Sequence, residues 1–412
     1  MIKQISECRI CQGQHLVQVM DLGVQALTGI FPRDRDENIG YSPIQLIKCN
    51  TDGGCGLVQL RHSYQPEEMY GVNYGYRSGL NAHMVRHLKS KVKEIMDRGI
   101  LNENDLIIDI GSNDGTTLSN YPRHKYQLVG IDPTADRFKE YYPCDVFVIP
   151  DFFSAQAVSK HFGGKKAKII TSFAMFYDLE DPVGFAREIE ATLHDDGVWV
   201  FEQSYLPLML KQNSFDTICH EHLEFYSLKQ IMWIASLSGL KIIDVTFNEV
   251  NGGSFSVTAC KAKAKYTSHE SLINKTLEDE VLSGIDGMDA MEQFHQRVNR
   301  ERDALLTFLH QTKKDGKSVA AIGASTKGNV LLQYYQIDDE MIYAVGEVNQ
   351  DKFGCFTPGT NIPILPEDDV LASNPDYLLI LPWHFRSYFE QSPKFKDRVL
   401  VFPLDKFEVV YL

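Results

Sequence analysis

Three short stretches of this chain hold residue types whose spacing suits chemistry. Cys8-Arg9-Ile10-Cys11 is a C-x-x-C knuckle, and Cys49 and Cys55 bring a second pair of thiols into the first 55 residues. Four thiolates held tetrahedrally make a closed structural zinc site, and a segment this small has too little apolar core to stand alone. Cys49 and Cys55 have five residues between them rather than two, so Thr51-Asp52-Gly53-Gly54 has to loop out. Ordinary buried thiols or a redox pair are the competing readings. Because four sulfurs leave no open coordination position, a metal here is expected to be structural rather than catalytic.

The second stretch is Asp109-Ile110-Gly111-Ser112-Asn113-Asp114-Gly115, which follows an apolar run at 106–110. Glycines at such a turn let the backbone approach a ligand lying over the strand ends, where open α/β sheets bind. The next apolar run ends at Asp132-Pro133, 23 residues beyond Asp109, placed to take a ribose diol. The pattern D-x-G-x-x-x-G lacks the tight G-x-G-x-x-G pyrophosphate cradle. Asn113 and Asp114 suit the ammonium and carboxylate of a methionine moiety. S-adenosylmethionine is therefore the expected ligand, ahead of a dinucleotide.

The third stretch is Cys219-His220-Glu221-His222. It is not the H-E-x-x-H of metalloproteases, because His220 and His222 would not share a helical face. A histidine near its ordinary pKa of about 6.5 can accept a proton at neutral pH, and a nearby glutamate could orient it. A polar loop with one histidine capping a helix is the alternative.

These stretches need a scaffold. The chain has 412 residues, 43% apolar and 23% charged, with 41 Lys plus Arg against 55 Asp plus Glu and a net charge of −14. That balance is globular, and the acidic excess argues against nonspecific nucleic-acid binding. No run approaches the roughly 18 apolar residues of a membrane span, and the first residues lack an apolar signal core, so a cytoplasmic protein is expected. Residues 1–68 read as short, turn-rich and cysteine-bearing. Met84, Leu88, Val92, Ile95 and Met96 recur at helix spacing and close at Gly99. From 105 to 203, apolar strands at 106–110, 127–132, 168–173 and 197–201 alternate with helices, one carrying Val183, Phe185, Ile189 and Leu193, which implies βαβ units. From 266 a long polar helix with a stripe of Met291, Phe294, Val298, Leu305 and Leu309 leads into a second strand–Gly turn–helix plan at Ser318 to Asn329. The expected class is α/β: a Rossmann-like S-adenosylmethionine methyltransferase domain (69–265) between a small zinc-binding domain (1–68) and a second Rossmann-like domain (266–412). Nothing marks a coiled coil or an exposed apolar seam, so oligomeric state is left open and a monomer is compatible with it.

Taken in order along the chain, these residues resemble the sugar-nucleotide C-methyltransferases of deoxysugar biosynthesis, which act on 4-keto-6-deoxy sugars at C-3. The resemblance runs through Cys8 to Cys11 with Asp21-Leu22-Gly23, Cys55-Gly56-Leu57-Val58-Gln59-Leu60, Tyr76-Arg77-Ser78-Gly79 and Ile110 to Thr116. It continues through Phe215-Asp216-Thr217 with His220-Glu221-His222, Gly252-Gly253-Ser254, Gly323 to Asn329 and Pro358 to Ile364. It implies a thymidine- or guanosine-linked sugar nucleotide facing the sulfonium methyl group of S-adenosylmethionine. It also implies His222 as general base, Glu221 as its companion acid and Tyr76 as the active-site tyrosine, with Tyr74 two residues away. Gly253, Ser254, Lys327 and Asn329 fall where the family's nucleotide portion binds, and a lysine at a helix start suits a pyrophosphate. His220 is expected to belong to the same acceptor site. The chain departs from the family where Cys219 replaces a tyrosine, where Asp178 replaces a histidine, and at Asn251 and Ser256; Cys219 and Asp178 are expected to shape the acceptor site. The rival readings are oxygen or nitrogen methylation of a sugar, a nicotinamide site at Ala321 to Ser325, and a non-enzymatic zinc-dependent scaffold.

Overall fold

The computed structural model describes residues 2–64 and 77–412, the side chain of Asn251 excepted. Tyr74 and Tyr76 lie outside the described residues.

The central sheet is organised around the strand Leu106–Ile110. Its five residues are all buried, the continuous apolar run a parallel strand covered on both faces requires. It lies between Gln127–Ile131 and Ala167–Phe173, pairing in parallel with each. The full seven-strand order is Leu240–Asn248, Ser254–Lys261, Leu193–Ser204, Ala167–Phe173, Leu106–Ile110, Gln127–Ile131, Val146–Ile149. Chain order reverses on either side of Leu106–Ile110, so a crevice opens at its carboxyl end, the place where doubly wound sheets take ligands. Ser254–Lys261 runs antiparallel to both neighbours. This hairpin was not anticipated from the sequence, because its first strand (LKIIDVTFN) mixes polar and apolar residues without strict alternation.

The second α/β sheet has six strands in the order Ile364–Pro366, Val345–Glu347, Val319–Ile322, Tyr377–Ile380, Val399–Phe402, Glu408–Tyr411. The first five are parallel and the last is antiparallel. The expected single long helix before it is two helices, Glu270–Leu282 and Asp289–Lys314. Gly284, at φ +72°, falls in the break, a conformation that an L side chain adopts only under strain.

The N-terminal part holds longer strands than its turn-rich sequence suggests. Leu16–Ala26 and Tyr41–Cys49 pair antiparallel, and Val58–Leu60 adds a third strand. Two register shifts, at Gln18/Met20 and Asp21/Val24, interrupt the alternation that would have revealed the first strand. The fourth strand of this sheet, Glu224–Phe225, comes from the central part of the chain, immediately after the histidine turn. Phe225 and Val58 pair across this junction. Val58→Asp should disorder the 216–226 turn, read as faster amide exchange there, while leaving exchange in Leu106–Ile110 unchanged.

Candidate active site

The donor crevice is assembled at the carboxyl end of Leu106–Ile110. Asp109 is buried and accepts from Thr171 Oγ1 at 2.5 Å; burial pushes its carboxyl up to about 7. Gly115 sits at φ +74°, and a Cβ there would lie 2.7 Å from the Tyr142 ring, so only glycine fits. The Tyr142 hydroxyl donates to Asn113 O and contacts Ser112 Oγ, both at 2.7 Å, holding the turn from below. Gly111 has φ +69° and packs against Met175. Asp132 closes the far side: one carboxylate oxygen accepts from the Asn113 N–H at 2.8 Å and the other from Thr134 N–H at 2.7 Å. Pro133 follows, half-buried.

Asn113 and Asp114 have a use that spacing alone did not suggest. The Ser78 N–H donates to Asn113 Oδ1 and the Gly79 N–H to Asp114 Oδ2, each at 2.9 Å, with Arg77 Nε 3.5 Å from the same carboxylate. The pair therefore fastens the 77–79 segment over the turn.

The two histidines of the third stretch face different surroundings. His222 Nδ1 lies 2.7 Å from Thr217 O, and the Tyr177 ring meets it edge-on with centroids 4.4 Å apart. A carbonyl accepts only from N–H, so Nδ1 carries the hydrogen and Nε2 the lone pair. Burial, helped by the charge of Lys327, pushes the imidazole down to about 4. His220 is fully buried, with Nε2 3.2 Å from Ser42 O and its ring against Tyr64. Burial pushes it also to about 4. It belongs to the junction with the N-terminal sheet. Glu221 does not orient His222. It lies against the Cys219 thiol and Thr28, and burial holds its carboxyl above the usual range. The carbonyl of Thr217 is the group that orients the imidazole. Asp178 stands close enough for its charge to be felt at Cys219 and Glu224.

The C-terminal part supplies the opposite wall. Lys327 stands in the first turn of Thr326–Tyr335, a helix capped by Ser325 through the Gly328 N–H. Its charge is felt at His222, at Asp216 and at His384. Asp216 is buried and accepts from Trp383 Nε1 at 2.8 Å. Burial, with Lys327 and His83 nearby, pushes His384 down to about 3. His83, Trp383 and His384 were missed in the sequence because they come from distant segments without any local motif. Asn329 is fully buried and donates to Thr28 O at 2.7 Å, so it ties this helix to the N-terminal part. Gly253, at φ +112°, would place a Cβ 2.8 Å from Leu208, and Ser254 Oγ donates to Val250 O. Beside Gly252 the buried Gln212 Oε1 and Ser214 Oγ have no hydrogen-bond partner among the described residues. A further buried group escaped sequence reading: Glu202, held by His87, Lys91 and Asn248. Burial works against its charge, yet His87 and Lys91 keep its carboxyl below the usual range.

The four cysteines converge. The sulfurs of Cys8, Cys11, Cys49 and Cys55 all lie within 4.8 Å of one another. Cys8 and Cys55 are 3.5 Å apart and Cys11 and Cys49 3.6 Å. Zn–S bonds of about 2.3 Å in a tetrahedron require sulfurs roughly 3.8 Å apart, so the donor set fits zinc. The loop of Thr51 to Gly54 closes on itself through Gly54 N–H to Thr51 O, which lets a five-residue gap serve as a knuckle.

Three outcomes follow. Asp132→Ala should weaken binding of S-adenosylhomocysteine by about 10–100-fold in calorimetry, the range for losing hydrogen bonds to a charged group; unchanged affinity would remove Asp132 from the donor site. Cys11→Ser should release zinc and lower Tm by roughly 5 °C or more. The histidines set the acid side of stability. His220 and His222 titrate near 4 when folded and near their ordinary value of about 6.5 when unfolded. The unfolded chain therefore binds more protons between those values, and stability falls as pH drops through this window. A urea midpoint that held steady from pH 7 to pH 5 would contradict this.

Comparison with known proteins agrees with this geometry. Residues 8–70 match a zinc binding domain, residues 80–245 a methyltransferase domain, and residues 249–400 a C-methyltransferase C-terminal domain. The chain is 29% identical over 389 residues to the C-methyltransferase NovU of Streptomyces niveus, covering 93% of this chain and 91% of that one. Among solved structures, magnesium protoporphyrin IX methyltransferase from Synechocystis with bound S-adenosylhomocysteine overlays 44% of this chain and 88% of its own, at 14% identity and TM-score 0.34. An S-adenosylmethionine-dependent methyltransferase from Clostridium acetobutylicum overlays 43% and 92%, at 11% identity and TM-score 0.33. A zinc knuckle, a donor crevice and a C-methyltransferase C-terminal part thus follow one another along the chain, the make-up of an S-adenosylmethionine-dependent C-methyltransferase.

Proposed function

We propose that the chain methylates C-3 of a thymidine- or guanosine-linked 4-keto-6-deoxyhexose, with His222 as the base. The observation that carries this reading is the 2.7 Å contact of His222 Nδ1 with Thr217 O, which leaves the Nε2 lone pair for a substrate proton. Burial keeps that imidazole neutral at working pH, the form a base needs. The ketone at C-4 acidifies the C-3 hydrogen. His222 Nε2 takes the proton, and the C–H electron pair moves through C-3–C-4 onto the ketone oxygen as an enolate. C-3 then forms its new bond to the methyl carbon as the carbon–sulfur bond breaks, and the leaving group is neutral. S-adenosylmethionine supplies that electrophilic methyl when bound. Gly111 to Gly115 and Asp132 would hold it, and no other cofactor is called for by these steps.

For the acceptor, Lys327 at a helix start suits the diphosphate. The Gln212 and Ser214 oxygens beside Gly252-Gly253-Ser254, without a hydrogen-bond partner among the described residues, offer polar contacts to the nucleoside. Tyr76 and Tyr74, outside the described residues, stay with this reading as residues carried by resemblance, as the donor to the enolate oxygen and its neighbour. General-base catalysis of this kind contributes typically about 10²–10⁴-fold, the rest coming from holding two substrates in line.

His222→Asn should abolish methyl transfer while S-adenosylhomocysteine affinity stays within about twofold of wild type. In deuterated water without a methyl donor, wild-type protein should wash deuterium into C-3 of a 4-keto-6-deoxy sugar nucleotide, and the variant should not. Methyl transfer with no exchange would instead indicate oxygen or nitrogen as the acceptor.

A further inference from the structure

We propose that Arg9, inside the zinc knuckle, is a positioning residue for the methyl transfer, passing the order the metal imposes on the knuckle to the turn that holds His222. This inference rests on the reading of His222 as the base. Cys8 and Cys11 flank Arg9 in sequence, so a metal on the four sulfurs fixes the backbone from which it projects. The side chain is only 2% exposed and points toward the histidine turn rather than toward water.

Two routes lead from its guanidinium to His222. Nη1 donates to Leu60 O at 2.6 Å, and the Leu60 N–H donates to Leu223 O at 2.8 Å, next in the chain to His222. Nη1 also reaches Gln59 Oε1 at 3.2 Å and Nη2 reaches Ser63 Oγ at 2.7 Å, locking the Val58–Leu60 strand that pairs with Glu224–Phe225. The second route runs through two carboxyl groups. Nε lies 3.5 Å from Glu224 Oε1, a side chain with no exposure, and Nη2 lies 4.0 Å from Glu180 Oε1. Glu180 ends the loop that carries Tyr177, whose ring lies against His222 and whose carbonyl accepts from the Leu223 N–H. One guanidinium thus braces both segments that flank the imidazole.

The chemistry of the junction explains the choice of arginine. Both Glu224 oxygens lack a hydrogen-bond partner among the described residues, and Arg9 is the cation facing them. A buried contact of this kind often adds nothing to stability over apolar replacements, so its return is geometric. A planar fork addresses several acceptors at fixed angles, whereas an ammonium is a single point charge.

The test compares Arg9→Met and Arg9→Lys with wild type as full-length, zinc-loaded protein. Four quantities are read: zinc per chain, S-adenosylhomocysteine affinity, kcat and KM for a 4-keto-6-deoxy sugar nucleotide, and amide exchange over residues 216–226. Arg9→Met should keep its zinc and its affinity for S-adenosylhomocysteine. Its kcat should fall about tenfold or more, with a much smaller change in acceptor KM, as displacing a base by about 1 Å can do. Amide exchange at 216–226 should rise with the metal still bound, and Arg9→Lys should fall between the two. Removing the stranded carboxylate in Arg9→Met/Glu224→Gln should recover part of the lost kcat, a non-additivity that also serves if the single variant folds poorly. Full kcat with wild-type amide exchange in Arg9→Met overturns the coupling, and so does loss of zinc in step with activity, which would make Arg9 a support of the metal site only. Retained turnover in His222→Asn would overturn the base assignment instead, so the two failures are told apart.

Discussion

The antiparallel pairing of Glu224–Phe225 with Val58–Leu60 is the constraint on which the catalytic arrangement depends. A two-residue strand has almost no stability of its own, and its backbone groups would otherwise be desolvated without partners. By joining the N-terminal sheet it gains those partners, and the residues just before it are fixed at one end. The other end is fixed by the short helix Phe215–Thr217, whose Asp216 is held by Trp383 of the C-terminal part. The turn from Asp216 to Phe225 is therefore strung between the two flanking parts of the chain, across the mouth of the central crevice. Catalysis is sensitive to displacements of about 1 Å, and a turn anchored at both ends by other layers meets that demand better than a free loop.

The same arrangement governs charge. A buried group at low dielectric favours its neutral form, so His222, His220 and His384 are pushed toward the uncharged state and Glu221 and Asp216 toward the protonated one. Glu202 is the exception, and the reason is specific: the contacts with His87 Nε2 at 2.5 Å and Lys91 Nζ at 3.3 Å outweigh its burial. At His222 a neutral proton acceptor thus stands within reach of the charge of Lys327. That combination suits an acceptor that brings its own negative charge.

The sequence revealed what is local. The turn after Leu106–Ile110 was legible because strand, glycine positions and acid fall within a few residues, and the cysteines because thiols have few other reasons to pair at such spacing. What is assembled from a distance was not. His83, Trp383 and His384 come from two separate helical turns, and no periodicity marks them as neighbours of one another, of Asp216 or of Lys327. Asn329 matched a family position, yet its amide reaches Thr28 O, a partner some three hundred residues away. The strand at Leu16–Ala26 was hidden by two bulges, and the helix break at Gly284 by a polar stretch that keeps helical composition on both sides. Arg9 looked like filler inside a metal knuckle because its partners lie some 50 to more than 200 residues further on.

Holding His222 by a carbonyl rather than by Glu221 has a consequence for the proposed reaction. A carboxylate at Nδ1 would stabilise the imidazolium and raise the basicity of Nε2. The Thr217 carbonyl gives orientation with less of that stabilisation, and the charge of Lys327 opposes it further, so the resting base is weak. An incoming diphosphate at Lys327 would offset that positive charge. As the proton leaves C-3, the enolate places a negative charge close to the new imidazolium. Both changes raise the effective basicity of His222 once the acceptor is bound, and neither operates in the empty crevice. In the proposed reaction the weak base of the free protein would then serve specificity: an acceptor lacking the diphosphate would forfeit not only its grip on Lys327 but also part of the base strength that removes its proton.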